Sequence, residues 1–162
     1  MSLSGANVHD LDEATIAEAV ALARDIDREE ALYQTGKPLE DALWDTYQMS
    51  PGGYAGRLGD ELVCVWGVCA LAPLEGIGQP WLIATDALNK AAFPFLKHCW
   101  YYLNDMKTDY DFLWNVVYEE NASAIAWLRW MGFRMTPARK IGPYGKNFIP
   151  FEWCKEQEKC VL

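Results

Sequence analysis

Long apolar runs and clustered metal-binding side chains are both scarce in this chain of 162 residues. No segment approaches the ~20 apolar residues that a membrane-spanning helix needs, so no membrane association is predicted. Residues 1–4 contain neither a basic segment nor an apolar one, and no signal peptide is predicted. The two histidines, His9 and His98, are far apart in the sequence, which argues against a histidine-rich metal site. We therefore expect a cytoplasmic protein without a bound metal ion.

Positive charge is also scarce. The chain has 14 Lys and Arg against 23 Asp and Glu, which gives a formal net charge of -9. A protein that binds duplex nucleic acid usually presents a basic face, so nucleic acid is excluded as a predicted partner. The acidic segments at residues 10–30 and 105–120 are interpreted as solvated helix faces and loops.

Cysteine is present but in no recognisable pattern. The five cysteines are odd in number, and no two have the C-x-x-C spacing of a zinc or redox site. Cys64 and Cys69 are five residues apart in an apolar strand, so their side chains should point to opposite faces and cannot form a local bridge. All five are interpreted as reduced thiols in a cytoplasm, with Cys160 in the tail as the exposed one.

The composition predicts one well-packed domain. Hydrophobic residues make up 51% of the chain and aromatic residues 14%, which is ample material for a core and gives no sign of disorder. A length of 162 residues suits one domain better than two. We expect a single domain over residues 1–162, of which residues 155–162 form a charged tail.

The apolar periodicity predicts helices and strands in alternation. Three helices are expected at about residues 12–32, capped by Asp10, at about 39–47 and at about 92–106, and a fourth runs from Asn121 to Trp130. Strands are expected at 7–9, 54–58, 61–71, 81–85, 112–117, 134–141 and 148–153. Several strands are apolar throughout, as in sheets that are covered on both faces. The predicted fold class is therefore α+β or α/β, a mixed central sheet with helices on both faces in the order β-α-α-β-β-β-α-β-α-β-β.

One segment sharpens this prediction. Residues 121–133 read Asn-Ala-Ser-Ala-Ile-Ala-Trp-Leu-Arg-Trp-Met-Gly-Phe. Together with the element order, this segment resembles the GNAT-like acyltransferases, many of which carry Asn-x-x-Ala-Ile-x-x-Tyr-x-x-x-Gly-Phe after a strand. The resemblance implies acetyl coenzyme A as the cofactor. If coenzyme A binds, the resemblance assigns its contacts to Ile83, Thr85, Lys90 and Asn121.

A narrower resemblance rests on three further features. The strand 81–85, the pair Trp114-Asn115 and the helix from Asn121 are together similar to a divergent GNAT-like branch encoded by short-tailed bacteriophages. Members of that branch include internal virion proteins. This resemblance implies a phage or prophage protein that acts in the bacterial cytoplasm or in the virion.

Two departures from the enzyme pattern bear on function. In the enzymes, a glycine-rich loop after the fourth strand points its amides at the diphosphate of coenzyme A. The corresponding stretch here, residues 86–94, has no glycine. Phe93 adds bulk, Pro94 deletes an amide and Asp86 adds negative charge, which leaves Lys90 as the one favourable group. Leu128 stands where many members have a tyrosine that protonates the leaving thiolate, and leucine has no proton to give.

Other candidate residues are fewer. A general base for an acceptor amine is sought among Glu75, Asp86, Glu119 and Glu120, the carboxylates near the strand ends. Tyr118 is the candidate substitute acid, although a packed ring is the simpler interpretation. Trp130, beside Arg129, is the preferred candidate for a surface that binds a protein partner.

Two hypotheses follow. The first is a GNAT-fold phage or prophage protein without ordinary acetyltransferase chemistry and without a cofactor, which binds a virion or bacterial protein. The alternative is an acetyl coenzyme A-dependent N-acetyltransferase with a deviant diphosphate loop. The enzyme should show strands 81–85 and 112–117 splayed apart at their C-terminal ends, whereas the binding protein should show that gap plugged by side chains.

Overall fold

A twisted sheet of eight strands forms the centre of the protein. The structure is a computed structural model that describes residues 6–156, apart from the side chains of residues 92–94 and 96. The strand order is β1-β2-β3-β4-β5-β8-β6, and β7 pairs with β8. Every pairing is antiparallel except that of β4 with β5. The strands are β1 Ala6–Asp10, β2 Gly53–Leu58, β3 Glu61–Ala72, β4 Ile77–Ala84, β5 Phe112–Tyr118, β6 Arg134–Met135, β7 Arg139–Ile141 and β8 Lys146–Cys154.

Helices cover both faces of this sheet. The helices are α1 Glu13–Leu22, α2 Asp25–Thr35, α3 Leu39–Met49, α4 Leu88–Asp109 and α5 Ala122–Trp130. Successive residues of β3 point to opposite faces, so Val65 packs with α1 and α3 whereas Cys64 and Trp66 pack with α4. The predicted fold class, a mixed sheet between two layers of helices, is thereby confirmed. None of the described helices is both long and apolar enough to span a membrane.

The helix predicted over residues 12–32 is in fact two helices. Ala23 is extended, with φ -58° and ψ 146°, and ends α1. The Arg24 N–H then donates to the Ala84 carbonyl at 3.1 Å, so the junction between α1 and α2 adds to the edge of β4. The cap also differs from the prediction, because Asp12 rather than Asp10 accepts the Thr15 amide, at 2.8 Å.

Two other boundaries differ from the predicted ones. Helix α4 begins at Leu88, four residues before the predicted start, and so includes Pro94. The strand predicted over 134–141 is interrupted between β6 and β7, where Pro137 has no N–H to donate to a neighbouring strand. The observed order therefore contains one more helix and one more strand than the predicted order.

The thiols agree with the sequence in part. Cys64, Cys69 and Cys99 are buried free thiols, as expected. Cys154 is disulfide-bonded, so the expectation that all five cysteines are reduced is wrong for this residue. Cys160 and most of the predicted tail 155–162 lie outside the described residues.

Candidate functional site

The parallel strands β4 and β5 separate soon after they meet. They pair only at Ile77 with Phe112 and at Gly78 with Leu113. Beyond that point Pro80 has no N–H for pairing, and the Asn115 side chain lies between the strands, where its Nδ2 donates to the Pro80 carbonyl at 2.8 Å. Asn115 Oδ1 also accepts the Val116 amide at 2.7 Å. The two strands therefore form a V that opens toward their C-terminal ends.

A cavity of about 440 Å³ occupies this opening. Its lining includes Asp27 and Glu30 of α2 from one side of the sheet. From the other side it includes Cys99 of α4 and both Trp127 and Leu128 of α5. The cavity thus passes through the sheet between β4 and β5, and its volume lies within the range of small-molecule sites.

Asp27 holds the end of β4. Its Oδ2 accepts the Ala84 amide at 3.0 Å, on the strand edge that faces β5. The Arg24 guanidinium donates to both oxygens of the same carboxylate, from Nε at 3.1 Å and from Nη2 at 2.9 Å. Asp27 is only 2% exposed, so this buried charge is balanced by a paired cation and a strand amide.

Glu30 holds the end of β5 in the same way. Its Oε2 accepts the Tyr118 amide at 2.9 Å and the Asn121 side-chain amide at 3.3 Å. Although the residue as a whole is half-buried, burial of the carboxyl group raises its pKa to about 7, and the charge of Asp27 acts in the same direction. A carboxyl group with this pKa can accept a proton and return it near neutral pH.

The opposite side of the cavity is apolar and carries two unpaired donors. The indole N–H groups of Trp66 and Trp127 are buried without a hydrogen-bond partner among the described residues, and both side chains line the cavity. Trp81, which also lines the cavity, instead donates its indole N–H to Ser50 Oγ at 2.8 Å. A buried donor without a partner is unfavourable, so these two positions suit a ligand with hydrogen-bond acceptors.

The turn from β4 into α4 uses its own amides. Thr85 is buried, and its Oγ1 donates to the Leu62 carbonyl at 2.6 Å. The four amides that open the helix all donate within the turn: Ala87 to Thr85 Oγ1 at 3.2 Å, Leu88 to the Thr85 carbonyl at 3.1 Å, Asn89 to the Asp86 carbonyl at 3.2 Å and Lys90 to the Ala87 carbonyl at 3.0 Å. The start of α4 therefore presents no unused amide among these four to an anion.

Comparison with known proteins identifies the fold. No protein-family model matches the chain, and no curated protein matches it. The solved structure of smu.2055 from Streptococcus mutans UA159 matches with a TM-score of 0.68 and 17% identity over 93% of this chain and 99% of that chain. The chain has the GNAT-like acetyltransferase fold.

Two other matches with this GNAT-like fold are complexes with coenzyme A. The spermidine N-acetyltransferase from Vibrio cholerae, in complex with coenzyme A and spermine, matches with a TM-score of 0.61 and 11% identity over 94% of this chain and 96% of that chain. The ribosomal L7/L12 alpha-N-protein acetyltransferase in complex with coenzyme A matches at 0.68 and 9% identity over 93% and 94%. These matches give no support to the expectation that this chain takes no cofactor.

The four residues assigned to coenzyme A by resemblance do not form one group. Ile83 and Asn121 line the cavity. Thr85 is buried and holds the turn before α4. Lys90 is exposed, and its Nζ lies 3.8 Å from Glu61 Oε1. The cavity thus brings together two of the four, and the other two have structural or surface contacts.

The argument from the glycine-free segment needs a correction of place. Phe93 and Pro94 fall inside α4 rather than in the loop before it, so they cannot remove amides from that loop. The first amides of α4 are nevertheless occupied, because the turn at Thr85 pairs them within the chain. The predicted consequence, a poor diphosphate site, now depends on that turn.

The predicted base and acid candidates lie away from the cavity. Glu75, Asp86, Glu119 and Glu120 are all exposed, and none lines it. Tyr118 is buried and donates its hydroxyl to Glu120 at 3.0 Å, and burial raises the pKa of this phenol to about 12. It therefore does not replace the acid that Leu128 lacks.

Helix α5 follows the predicted registration except at its cap. Leu128 and Met131 are buried, and Gly132 ends the helix in a left-handed conformation with φ 92°. Asn121 occupies the N-cap position, but its side chain makes no capping bond and instead donates to Glu30. The predicted cap interaction is wrong because the asparagine amide belongs to the cavity wall.

Sequence reasoning missed Asp27 and Glu30. The segment 25–30, Asp-Ile-Asp-Arg-Glu-Glu, was interpreted as a solvated helix face because five of its six residues are charged. Their spacing of three residues, which places them on one side of a helix, was the one signal that could have linked them.

Proposed function

We propose that the chain is an acyltransferase that moves an acyl group from a thioester to an amine in the cavity between β4 and β5. The observation that carries this proposal is an open cavity through the sheet with Glu30, of pKa about 7, at its wall. The strands splay as expected for the enzyme rather than the binding protein, although side chains of α2 occupy the strand ends. The GNAT-like fold of the coenzyme A complexes adds support.

Coenzyme A fits this site in one part and not in another. The apolar walls and the unpaired indole donors of Trp66 and Trp127 suit an amide-containing thioester arm. The turn at Thr85 does not suit a diphosphate, because its amides already donate within the chain. The chemistry below therefore involves only the thioester and makes no use of a nucleotide.

The cavity residues have defined roles in this reaction. The neutral amine attacks the thioester carbonyl carbon, so that a C–N bond forms and the C–S bond breaks. The ionised Glu30 carboxylate accepts the proton that the amine releases, and Asn121 positions it by donating to Oε2. The sulfur leaves as a thiolate and takes its proton from water, because Leu128 at the cavity wall offers none.

The β4 backbone supplies a donor for the thioester carbonyl. The Ala84 amide points toward β5, where Asp27 accepts it. Because strand residues alternate, the Leu82 amide faces the same opening two residues earlier. Leu82 lines the cavity, and an amide held in this position would stabilise the negative charge that develops on the carbonyl oxygen.

The proposal is tested by thiol release. The purified chain is incubated with acetyl coenzyme A or with acetyl-N-acetylcysteamine and a panel of primary amines, and free thiol is measured. Glu30→Gln should lower kcat by about 10²- to 10⁴-fold, the usual contribution of a positioned base. Glu29→Gln, an exposed neighbour on α2, is the matched control and should leave kcat unchanged. No thiol release by the parent chain, or equal rates for the two variants, would contradict the proposal.

A specific observation also supports the binding hypothesis. Trp100 and Trp130 are 42% and 55% exposed and form a T-shaped pair with ring centroids 5.7 Å apart. Lys107 Nζ lies 5.8 Å from the Trp100 ring centroid. Exposed aromatic patches of this kind often mark protein interfaces. The second candidate is thus a phage or prophage protein that binds a virion or bacterial protein, in the host cytoplasm or in the virion.

The aromatic pair gives this second candidate a direct test. Trp100→Ala combined with Trp130→Ala should abolish association with a partner found in infected or lysogenic cells, as measured with the purified partner. Tyr144→Ala, at a 55% exposed ring on the β7–β8 turn, is the control and should bind normally. Normal binding by the double variant would contradict a role for this pair.

A further inference from the structure

The cavity has two ends of unlike chemistry, and the end near α4 is closed to phosphate groups. The four amides at the start of α4 donate to Thr85, Asp86 and Ala87. Their geometry is set by the Thr85 hydroxyl, which is buried and bonded to the Leu62 carbonyl. An anion at this helix start would have to break several of these bonds before it gained any.

Side-chain charge at the same end is also unfavourable. Lys90 is the cation nearest the helix start in the sequence, and Glu61 lies 3.8 Å from its Nζ. Asp86 is exposed in the turn itself. The whole chain has a formal net charge of -9, so long-range attraction for a polyanion is absent as well.

Inside the cavity the situation is reversed. Trp66 is only 4% exposed, and its indole N–H has no partner among the described residues. The indole N–H of Trp127 is in the same state, on the facing helix α5. The rest of this side is apolar, including Leu103 and Met106 of α4. An extended, neutral ligand with spaced carbonyl groups would satisfy both donors and bury apolar surface.

We propose that the acyl donor is recognised through a neutral pantetheine-type thioester arm and that its nucleotide and diphosphate contribute little to binding. This inference rests on the acyl transfer proposed above and names the donor class for the same cavity. A carrier-bound arm and a free thioester share this chemistry.

Calorimetric titration with pantetheine and with coenzyme A tests the inference without any turnover. The two dissociation constants should agree within tenfold. Coenzyme A binding more than tenfold tighter than pantetheine would overturn the inference while leaving acyl transfer in place. Failure of both ligands to bind, together with no thiol release from any thioester, would overturn the inference and the proposed function together.

Two variants locate the recognition. Lys90→Ala should change the dissociation constant of coenzyme A by less than threefold, and a larger loss would show that phosphate groups are bound there. Trp127→Phe removes one unpaired N–H with little change of shape and should weaken pantetheine and coenzyme A by the same factor. A loss confined to coenzyme A, or no loss for either ligand, would overturn the role of the arm.

Turnover distinguishes the two sources of the arm. Acetyl-pantetheine and an acetylated acyl carrier protein are compared as donors with acetyl coenzyme A. The inference expects at least one of them to have a kcat/KM within tenfold of that for acetyl coenzyme A. Failure of both, with turnover of acetyl coenzyme A, would overturn it.

Discussion

The two helices at the open end of β4 differ in how they treat backbone amides. Helix α2 brings carboxylates to the amides of the strands, with Asp27 on Ala84 and Glu30 on Tyr118. Helix α4 brings no such group, and its opening amides are paired with its own preceding turn. The α2 side is therefore negatively charged and proton-binding, whereas the α4 side is apolar and has no amide left for an anion.

This difference explains why the same opening suits acyl transfer and not diphosphate binding. A proton acceptor needs a carboxyl group that is partly desolvated, and Glu30 meets that need because burial raises its pKa. A diphosphate needs unpaired amides or cations, and the turn at Thr85 supplies neither. Removing the groups that make each side what it is should have effects of very different size.

The largest loss of stability is expected from Asp27→Ala. The substitution leaves the Arg24 guanidinium without its buried partner and the Ala84 amide without an acceptor. Breaking a buried pair in this way costs about 3–5 kcal/mol of unfolding free energy. Urea denaturation measures this loss, and Asp25→Ala, at an exposed position of the same helix, should cost far less. Equal losses for the two variants would contradict a special role for Asp27.

Glu30 should make stability depend on pH. Its pKa is raised from 4.5 to about 7, so the fold favours the protonated carboxyl. The stabilisation is complete below pH 4.5 and is lost as the pH rises to about 7, because the unfolded chain releases the proton earlier. A shift of this size corresponds to about 3 kcal/mol. Glu30→Gln should remove this part of the pH dependence in denaturation curves recorded from pH 4 to 8, and an unchanged slope would contradict the assignment.

The same titration should appear in catalysis. The ionised form of Glu30 accepts the proton in the proposed reaction, so kcat/KM for the parent chain should rise with pH and level off above about 7. Glu29→Gln should show the same profile as the parent. A profile that is flat between pH 5 and 8 would argue against Glu30 as the base.

Much of the fold was predictable because its signals are local. The apolar run of β3, the Gly59 turn before it and the glycine that ends α5 each identify their element without reference to distant residues. The break between α1 and α2 has no such signal. It depends on the Arg24 amide meeting the Ala84 carbonyl, a contact between residues that are far apart in the sequence.

The site was less predictable for the same reason. Asp27 is 57 residues from the amide it accepts, and Glu30 is 88 residues from Tyr118. In sequence both belong to a charged helical segment, which is the usual pattern of a solvated face. The resemblance located Ile83 and Asn121 at the cavity, because it carried information about tertiary contacts that periodicity does not.

A smaller effect is expected from Thr85→Val on the α4 side. Valine keeps the branched shape but removes the hydroxyl that accepts the Ala87 amide and donates to the Leu62 carbonyl. Two buried groups lose a partner, so the expected cost is about 1–3 kcal/mol in thermal or chemical unfolding. Thr85→Ser retains the hydroxyl and should lose clearly less. If valine and serine destabilise the chain equally, methyl packing rather than the hydroxyl holds this turn.

The smallest effect is expected from Lys90→Ala. The Lys90 side chain is 71% exposed and that of Glu61 50%, and their charged atoms are 3.8 Å apart. Exposed pairs of this kind contribute about 0–1 kcal/mol, because water and salt screen the attraction and ordering two long side chains costs entropy. Unfolding free energies of the parent and the variant, measured in low and high salt, should therefore nearly coincide. A loss above 1 kcal/mol that disappears in high salt would mean that Lys90 stabilises the start of α4 electrostatically, and the contrast between a charged α2 side and an uncharged α4 side would then no longer hold.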